Sequence, residues 1–174
     1  LKTVNRIEIV ACGSAYHAGM VGKYVLEEML RIPTSIDYAS EYRYRNPIVD
    51  DKTLTIIISQ SGETADTLAA LKEAKKRGSH TLSIVNVVGS SIANASDDVI
   101  YTWAGPEIAV ATTKGYTTQL SVIYLIAVWA ARILKTMDSD RVEKIFDDIC
   151  RLPELIEKVI LSEPKIKEMA KHCG

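Results

Sequence analysis

The chain has 174 residues, 47% of them hydrophobic and 25% charged, with a net charge of −1. That length suits one domain with a substantial core, and the balanced charge excludes nucleic acid and an anionic membrane as main partners. Cys12, Cys150 and Cys173 lie far apart and form no CxxC pair, which argues against a disulfide framework or a zinc site and fits a reducing cytoplasm.

The chain opens without the apolar core of a signal peptide. Leu1 and the ending His172-Cys173-Gly174 read as boundaries within a larger protein. Residues 7–11 form a short apolar strand, and residues 14–30 a helix with Tyr16, Met20, Tyr24 and Met29 near helical spacing. A second strand over 34–37 leads into a short helix over 39–45, stopped by Pro47. The run 54–58 is a third, buried strand, followed by a helix over 65–77 that Gly78 ends. Strand four covers 81–85, a helical turn 91–95, and strand five 99–102. A long apolar helix runs over 114–134 and its stretch 120–134 is too short to span a bilayer. Amphipathic helices over 139–149, 153–161 and 164–171 follow, with Ser139 and the two prolines as start signals.

Strands alternating with helices imply a parallel sheet covered on both faces, an α/β fold whose ligands bind beyond the carboxyl ends of the strands. That rule gathers four loops into one crevice: the turn at 12–15, residues 59–64, residues 86–91 and the stretch 105–114.

Residues 59–64 read SQSGET and join the third strand to a helix. Unpaired N–H groups and the positive dipole end of a helix suit an anion such as phosphate. Ser59, Ser61 and Thr64 add hydroxyl donors, and Gly62 allows a close backbone approach. The loop lacks the lysine of a triphosphate P-loop, which favours a sugar phosphate. The same residues also read as an ordinary helix start, with Ser61 or Thr64 as N-cap, and the two readings can hold together.

Other residues invite weaker readings. Cys12 lacks a nearby base and reads as structural rather than nucleophilic. His17, His80 and His172 show no metal-ligand spacing. Lys114 opens the long helix at an unfavourable end for a cation, so Glu107 is expected beside it. Glu63 is expected to stabilise the first turn of the helix after the loop. The run Tyr42-Arg43-Tyr44-Arg45 suggests an interdomain or subunit interface.

The blocks ACGSAYHAGM from Ala11, ASEYRYR from Ala39, SQSGETADTLAALKEAK from Ser59 and EIAVATTKGYTTQL from Glu107 are more specific. Together they resemble the first sugar isomerase (SIS) domain of the glucosamine-6-phosphate synthases. The resemblance implies a flavodoxin-like three-layer α/β/α sandwich around a five-stranded parallel sheet. It makes residues 1–174 a single SIS domain, the first of two, with the helices from about 139 leading toward the second. It implies that Ser59, Gln60, Ser61 and Thr64 bind the phosphate of a hexose 6-phosphate, and that Cys12, Gly13, Ser14, Val110 and Thr112 line the sugar. Where the family has CGTS this chain has CGSA, so Ser14 keeps a hydroxyl and Ala15 loses one; Thr112 replaces a serine. The family's catalytic glutamate, Schiff-base lysine and ring-opening histidine lie outside the SIS domain that this chain resembles. The expectation is therefore a cytoplasmic sugar-phosphate-binding domain without metal or cofactor. It would be inactive alone, homodimeric through the long helix, and partnered by a second SIS domain and a glutaminase domain. Related alternatives are a SIS deglycase or deaminase of amino-sugar phosphates and a sugar-phosphate sensor.

Overall fold

The computed structural model describes residues 2–108 and 112–172. An α/β unit extends to Met137, and a helical unit begins at Asp138. In chain order the first unit contains β1 (Arg6–Ala11), α1 (Gly13–Leu30), β2 (Thr34–Tyr38), α2 (Ala39–Tyr42), β3 (Thr53–Ser59), α3 (Ala65–Lys76), β4 (His80–Val85), α4 (Ser91–Ala95), β5 (Asp98–Tyr101) and α5 (Lys114–Leu134).

The five strands are all parallel, in the order β2-β1-β3-β4-β5. This is the flavodoxin-like order, and the sheet is the one expected from the alternating elements. β1 and β3 are central, which is why they read as near-continuous apolar runs: Ile7, Ile9, Val10, Ala11, Ile56, Ile57 and Ile58 are all buried. On one face Val10, Ile57 and Val85 pack with Tyr42, Ala70, Leu71, Ala74 and Ile92 from α2, α3 and α4. On the other, Ile9, Ile56, Ile58 and Ile84 meet Leu26 of α1 and Ile123 and Ile126 of α5.

α5 is the one helix among the described residues long and apolar enough to cross a membrane. In this fold it packs along α1 and buries Ile123, Ile126, Ala127, Ala130 and Ala131.

The run 42–45 is anchored within its own unit. Tyr42 is fully buried. Arg43 Nη1 lies 2.8 Å from Asp66 Oδ1 in the first turn of α3. Arg45 pairs with Asp37 and, at 2.5 Å, with the buried Glu8 of β1, which also accepts from the Ser35 hydroxyl. Tyr44 is the most exposed of the four. These pairings end the helix at Tyr42, three residues before its expected end, and Asn46 then turns the chain with a φ of 58°.

The second unit contains α6 (Ser139–Ile160) and α7 (Glu163–Ala170). Asp138 caps α6 by accepting from the Asp140 amide at 2.9 Å. The expectation of two helices meeting at Pro153 is corrected: α6 runs unbroken through that proline. Proline deletes one helical N–H bond, but the turns on either side keep theirs, and Lys158–Glu154 at 2.5 Å ties the turn that follows.

Candidate functional site

The register of the sheet decides which loops meet. Ala11 lies opposite Tyr38 and Ile58, Ser59 opposite Val85, and Val85 opposite Tyr101. The strands therefore end nearly level, and residues 12–14, 59–64, 86–90 and 102–108 leave the sheet along one edge. The point between β1 and β3 is where the strand order reverses, the usual position of a ligand crevice.

Residues 59–64 form a turn whose own backbone orients its hydroxyls. Ser59 Oγ accepts from the Gly62 amide at 3.0 Å, and Ser61 Oγ accepts from the Glu63 amide at 3.2 Å. A hydroxyl oxygen that accepts on one lone pair keeps its proton for another partner. Ser59 and Ser61 can thus each donate to a further acceptor. Thr64 Oγ1 lies 3.4 Å from Ser59 Oγ, completing a small cluster of hydroxyls. Thr64 is the N-cap residue of α3, yet its side chain makes no capping bond. Thr64 thus takes the N-cap position expected for Ser61 or Thr64, but without the capping bond.

Gly62 is required twice over. Its φ is +68°, and a Cβ there would fall 2.0 Å from Ser90 Oγ. The loop lies this close to the start of α4 because two bonds tie it there. The Ile92 amide donates to the Gly62 carbonyl at 3.0 Å, and the Ser91 amide to Glu63 Oε1 at 2.7 Å. Glu63 does not serve α3 as the sequence suggests. It precedes the N-cap of that helix, and the acid in the first turn of α3 is Asp66. The Ser91 hydroxyl and amide hold the Glu63 carboxyl below the usual carboxylate range.

The residues expected to line the sugar are placed as follows. Cys12 is the N-cap residue of α1, and its Sγ accepts from the Thr67 hydroxyl of α3 at 3.8 Å. That contact ties the end of β1 to the helix behind the loop and gives Cys12 a packing role. Gly13 and Ser14 are exposed in the first turn of α1, while Ala15 is buried. Val110 lies outside the described residues.

Thr112 donates its hydroxyl to Glu107 Oε2 at 2.6 Å. The same carboxylate accepts from the Gly115 amide at 2.8 Å, so Glu107 caps α5. The Thr112 hydroxyl and the Gly115 amide lower the Glu107 pKa, with a smaller contribution from Lys114, the neighbour anticipated for it. A Cβ on Gly115 would lie 3.3 Å from Gln60 Cγ, so α5 starts directly against the loop.

Asn86 was not singled out from sequence. It follows β4, and its Oδ1 accepts from the Thr102 hydroxyl at 3.0 Å and the Ala104 amide at 2.8 Å. Its Nδ2 donates to the Gly105 carbonyl at 2.7 Å, so one side chain shapes the segment leading to Glu107. An asparagine directly after a strand aimed at the crevice was the available signal.

A cavity of 770 Å³ lies at the opposite, amino-terminal edge of the sheet, between Leu54, Leu82, Val99, Ile126 and Trp129. Its lining is largely apolar and also includes Lys2, Asp51, His80 and Asp98, with His80 Nε2 2.7 Å from Asp98 Oδ2.

Relatives share this arrangement at the level of sequence and fold. The chain is 56% identical over 170 residues to the glutamine–fructose-6-phosphate aminotransferase (isomerizing) of Caldanaerobacter subterraneus, and 54% identical to that of Clostridium acetobutylicum. Each alignment covers 98% of this chain but 28% of the relative's length. The solved C-terminal domain of glucosamine-fructose-6-phosphate aminotransferase from Francisella tularensis superposes with a TM-score of 0.91 at 37% identity, covering 97% of this chain and 48% of that one. The sequence pattern of the SIS domain matches residues 1–129, a span that holds all five strands and the loop at the switch point, and the chain belongs to the SIS domain family.

Proposed function

We propose that this chain is the first of two SIS domains of a glutamine–fructose-6-phosphate aminotransferase, and that it holds the phosphate of a hexose 6-phosphate. The observation that carries the reading is the 59–64 turn, whose serine hydroxyls accept from its own backbone and so keep their protons for a ligand. Ser59, Gln60, Ser61 and Thr64 take the phosphate. Cys12, Gly13, Ser14, Val110 and Thr112 face the sugar. The names of the relatives support fructose 6-phosphate as the sugar.

The whole enzyme makes glucosamine 6-phosphate from fructose 6-phosphate and glutamine. The groups that open the ring and move protons belong to a second SIS domain, and ammonia comes from a glutaminase domain. The helices α6 and α7 lead toward that second domain. Catalysis needs neither metal nor cofactor, and the isolated chain binds without turnover. The enzyme is cytoplasmic and dimeric; the exposed side chains of Leu125, Trp129 and Ile133, spaced along one stripe of α5, support a subunit contact there.

Titration with fructose 6-phosphate, followed through backbone amide NMR shifts, tests the site, with fructose as control. Shifts centred on residues 59–64 with the phosphate ester alone are the expected result. A dissociation constant of about 1 mM is what one phosphate cradle without a cation supplies. Absence of shifts up to tens of millimolar, or equal shifts with fructose, overturns the reading.

A further inference from the structure

Helix α4 begins in an unusual way. Ser90 occupies its N-cap position, and a serine there ordinarily accepts from the amide two or three residues on. Here it makes no such bond. The Ile92 amide is taken by the Gly62 carbonyl at 3.0 Å, and the Ser91 amide by Glu63 Oε1 at 2.7 Å. Ser90 Oγ is left buried without a partner, packed under Gly62. Buried hydroxyls are seldom left unpaired, so the displacement marks a contact that the loop requires.

Glu63 also has a charge to manage. It stands between Ser61 and Thr64, where a free carboxylate would compete with an anion for the same donors. Bound to Ser91, it is drawn toward α4 instead.

We propose that Glu63 is a positioning residue of the anion loop: with the Gly62 carbonyl it supplies the cap of α4 in place of Ser90, which fixes the shape of residues 59–64 and turns its own charge away from the ligand. This role rests on the phosphate-site reading above. Glu63 touches no reacting atom under it and acts through the loop.

The experiment compares the full chain with Glu63→Gln, Glu63→Ala and Ser90→Ala. Inorganic phosphate is titrated by NMR, and amide hydrogen exchange is followed at Ser91 and Ile92. Glu63→Ala is expected to weaken phosphate about tenfold and to speed exchange at Ser91 by a similar factor, with little change in Tm. Glu63→Gln keeps an acceptor oxygen and is expected to recover most of the affinity. Ser90→Ala removes an unpaired hydroxyl and is expected to leave affinity unchanged. Phosphate binding by Glu63→Ala within about twofold of the parent, or tighter, overturns the proposal; tighter binding is the outcome if the carboxylate merely repels the anion. A loss of affinity that follows a fall in Tm, without rescue by glutamine, overturns it as well. If the parent itself binds no phosphate, the site reading fails, while exchange at Ser91 and Ile92 still decides the clamp: acceleration in Glu63→Ala upholds it and unchanged exchange refutes it.

Discussion

Replacing Gly62 by alanine measures how firmly the anion loop is seated on α4. Two costs add. The residue sits at φ +68°, where a side chain other than hydrogen costs about 1 kcal/mol. The new Cβ would also lie 2.0 Å from Ser90 Oγ and 2.5 Å from Ser90 Cβ. The hydroxyl can rotate away, but the Cβ moves only with the backbone of α4, and such overpacking costs about 1–3 kcal/mol. The expected destabilisation is therefore about 3 kcal/mol in urea unfolding, with an unchanged m-value. Combining the change with Ser90→Gly removes the steric part and should return about 2 kcal/mol, leaving the conformational part. A cost below about 1 kcal/mol for Gly62→Ala, or no recovery in the double variant, refutes the close seating.

Three further outcomes follow from the same geometry. Ser61→Ala combined with Thr64→Ala should abolish fructose 6-phosphate shifts while lowering Tm by no more than about 5 °C, since only two long local hydrogen bonds are lost; retained binding would remove these hydroxyls from the site. Glu8→Ala strips Arg45 and Ser35 of a buried acceptor. Because Arg45 is partly exposed and can rehydrate, the loss should be about 2 kcal/mol by urea unfolding, and a neutral result would show that the network adds no stability. Burial pushes the Asp97 carboxyl upward, but the Lys75 ammonium and the Thr81 hydroxyl and amide outweigh it and hold the pKa at about 2. A folded pKa below the unfolded one gives stability that is present above about pH 4 and lost as pH falls toward 2. Asp97→Asn should flatten that acid limb, as read from Tm against pH; an identical limb would refute the assignment.

The sheet was legible because its signal is local. Runs such as Ile56-Ile57-Ile58 are apolar on both faces, as buried parallel strands must be, and their spacing between helices dictates the layers. The loop was legible for the same reason: its chemistry lies in six consecutive residues. What escaped depends on partners distant in sequence. Glu63 caps a helix that starts 28 residues later, and Arg43 reaches Asp66 23 residues on. The role of Glu63 escaped because its partner, Ser91, lies far from it in sequence. Pro153 misled in the other direction: a local breaker rule was overridden by the helix around it. Asn86 gave one letter of signal for three hydrogen bonds.

The distribution of carboxylates around the carboxyl edge explains why an anion would settle at the switch point rather than elsewhere along it. α4 and α5 begin there with their amides already occupied, by Glu63 and by Glu107. Each carboxylate satisfies orphan donors and cancels the positive end of the helix it caps. α1 and α3 begin differently. No side chain caps either one, and α1 has no acid in its first turn. α3 does have Asp66, but Arg43 lies 2.8 Å from that carboxylate and offsets its charge. The two helices that keep uncompensated amino ends are the two that flank the β1–β3 junction, and the hydroxyl turn lies between them. A dianionic phosphate there gains from both dipoles without meeting a fixed negative charge. Under the proposed phosphate site, a loop without lysine or arginine would therefore suffice for a single phosphate ester. The same arithmetic caps its affinity, because two half-charges and a few hydroxyls do not match the charge of a triphosphate.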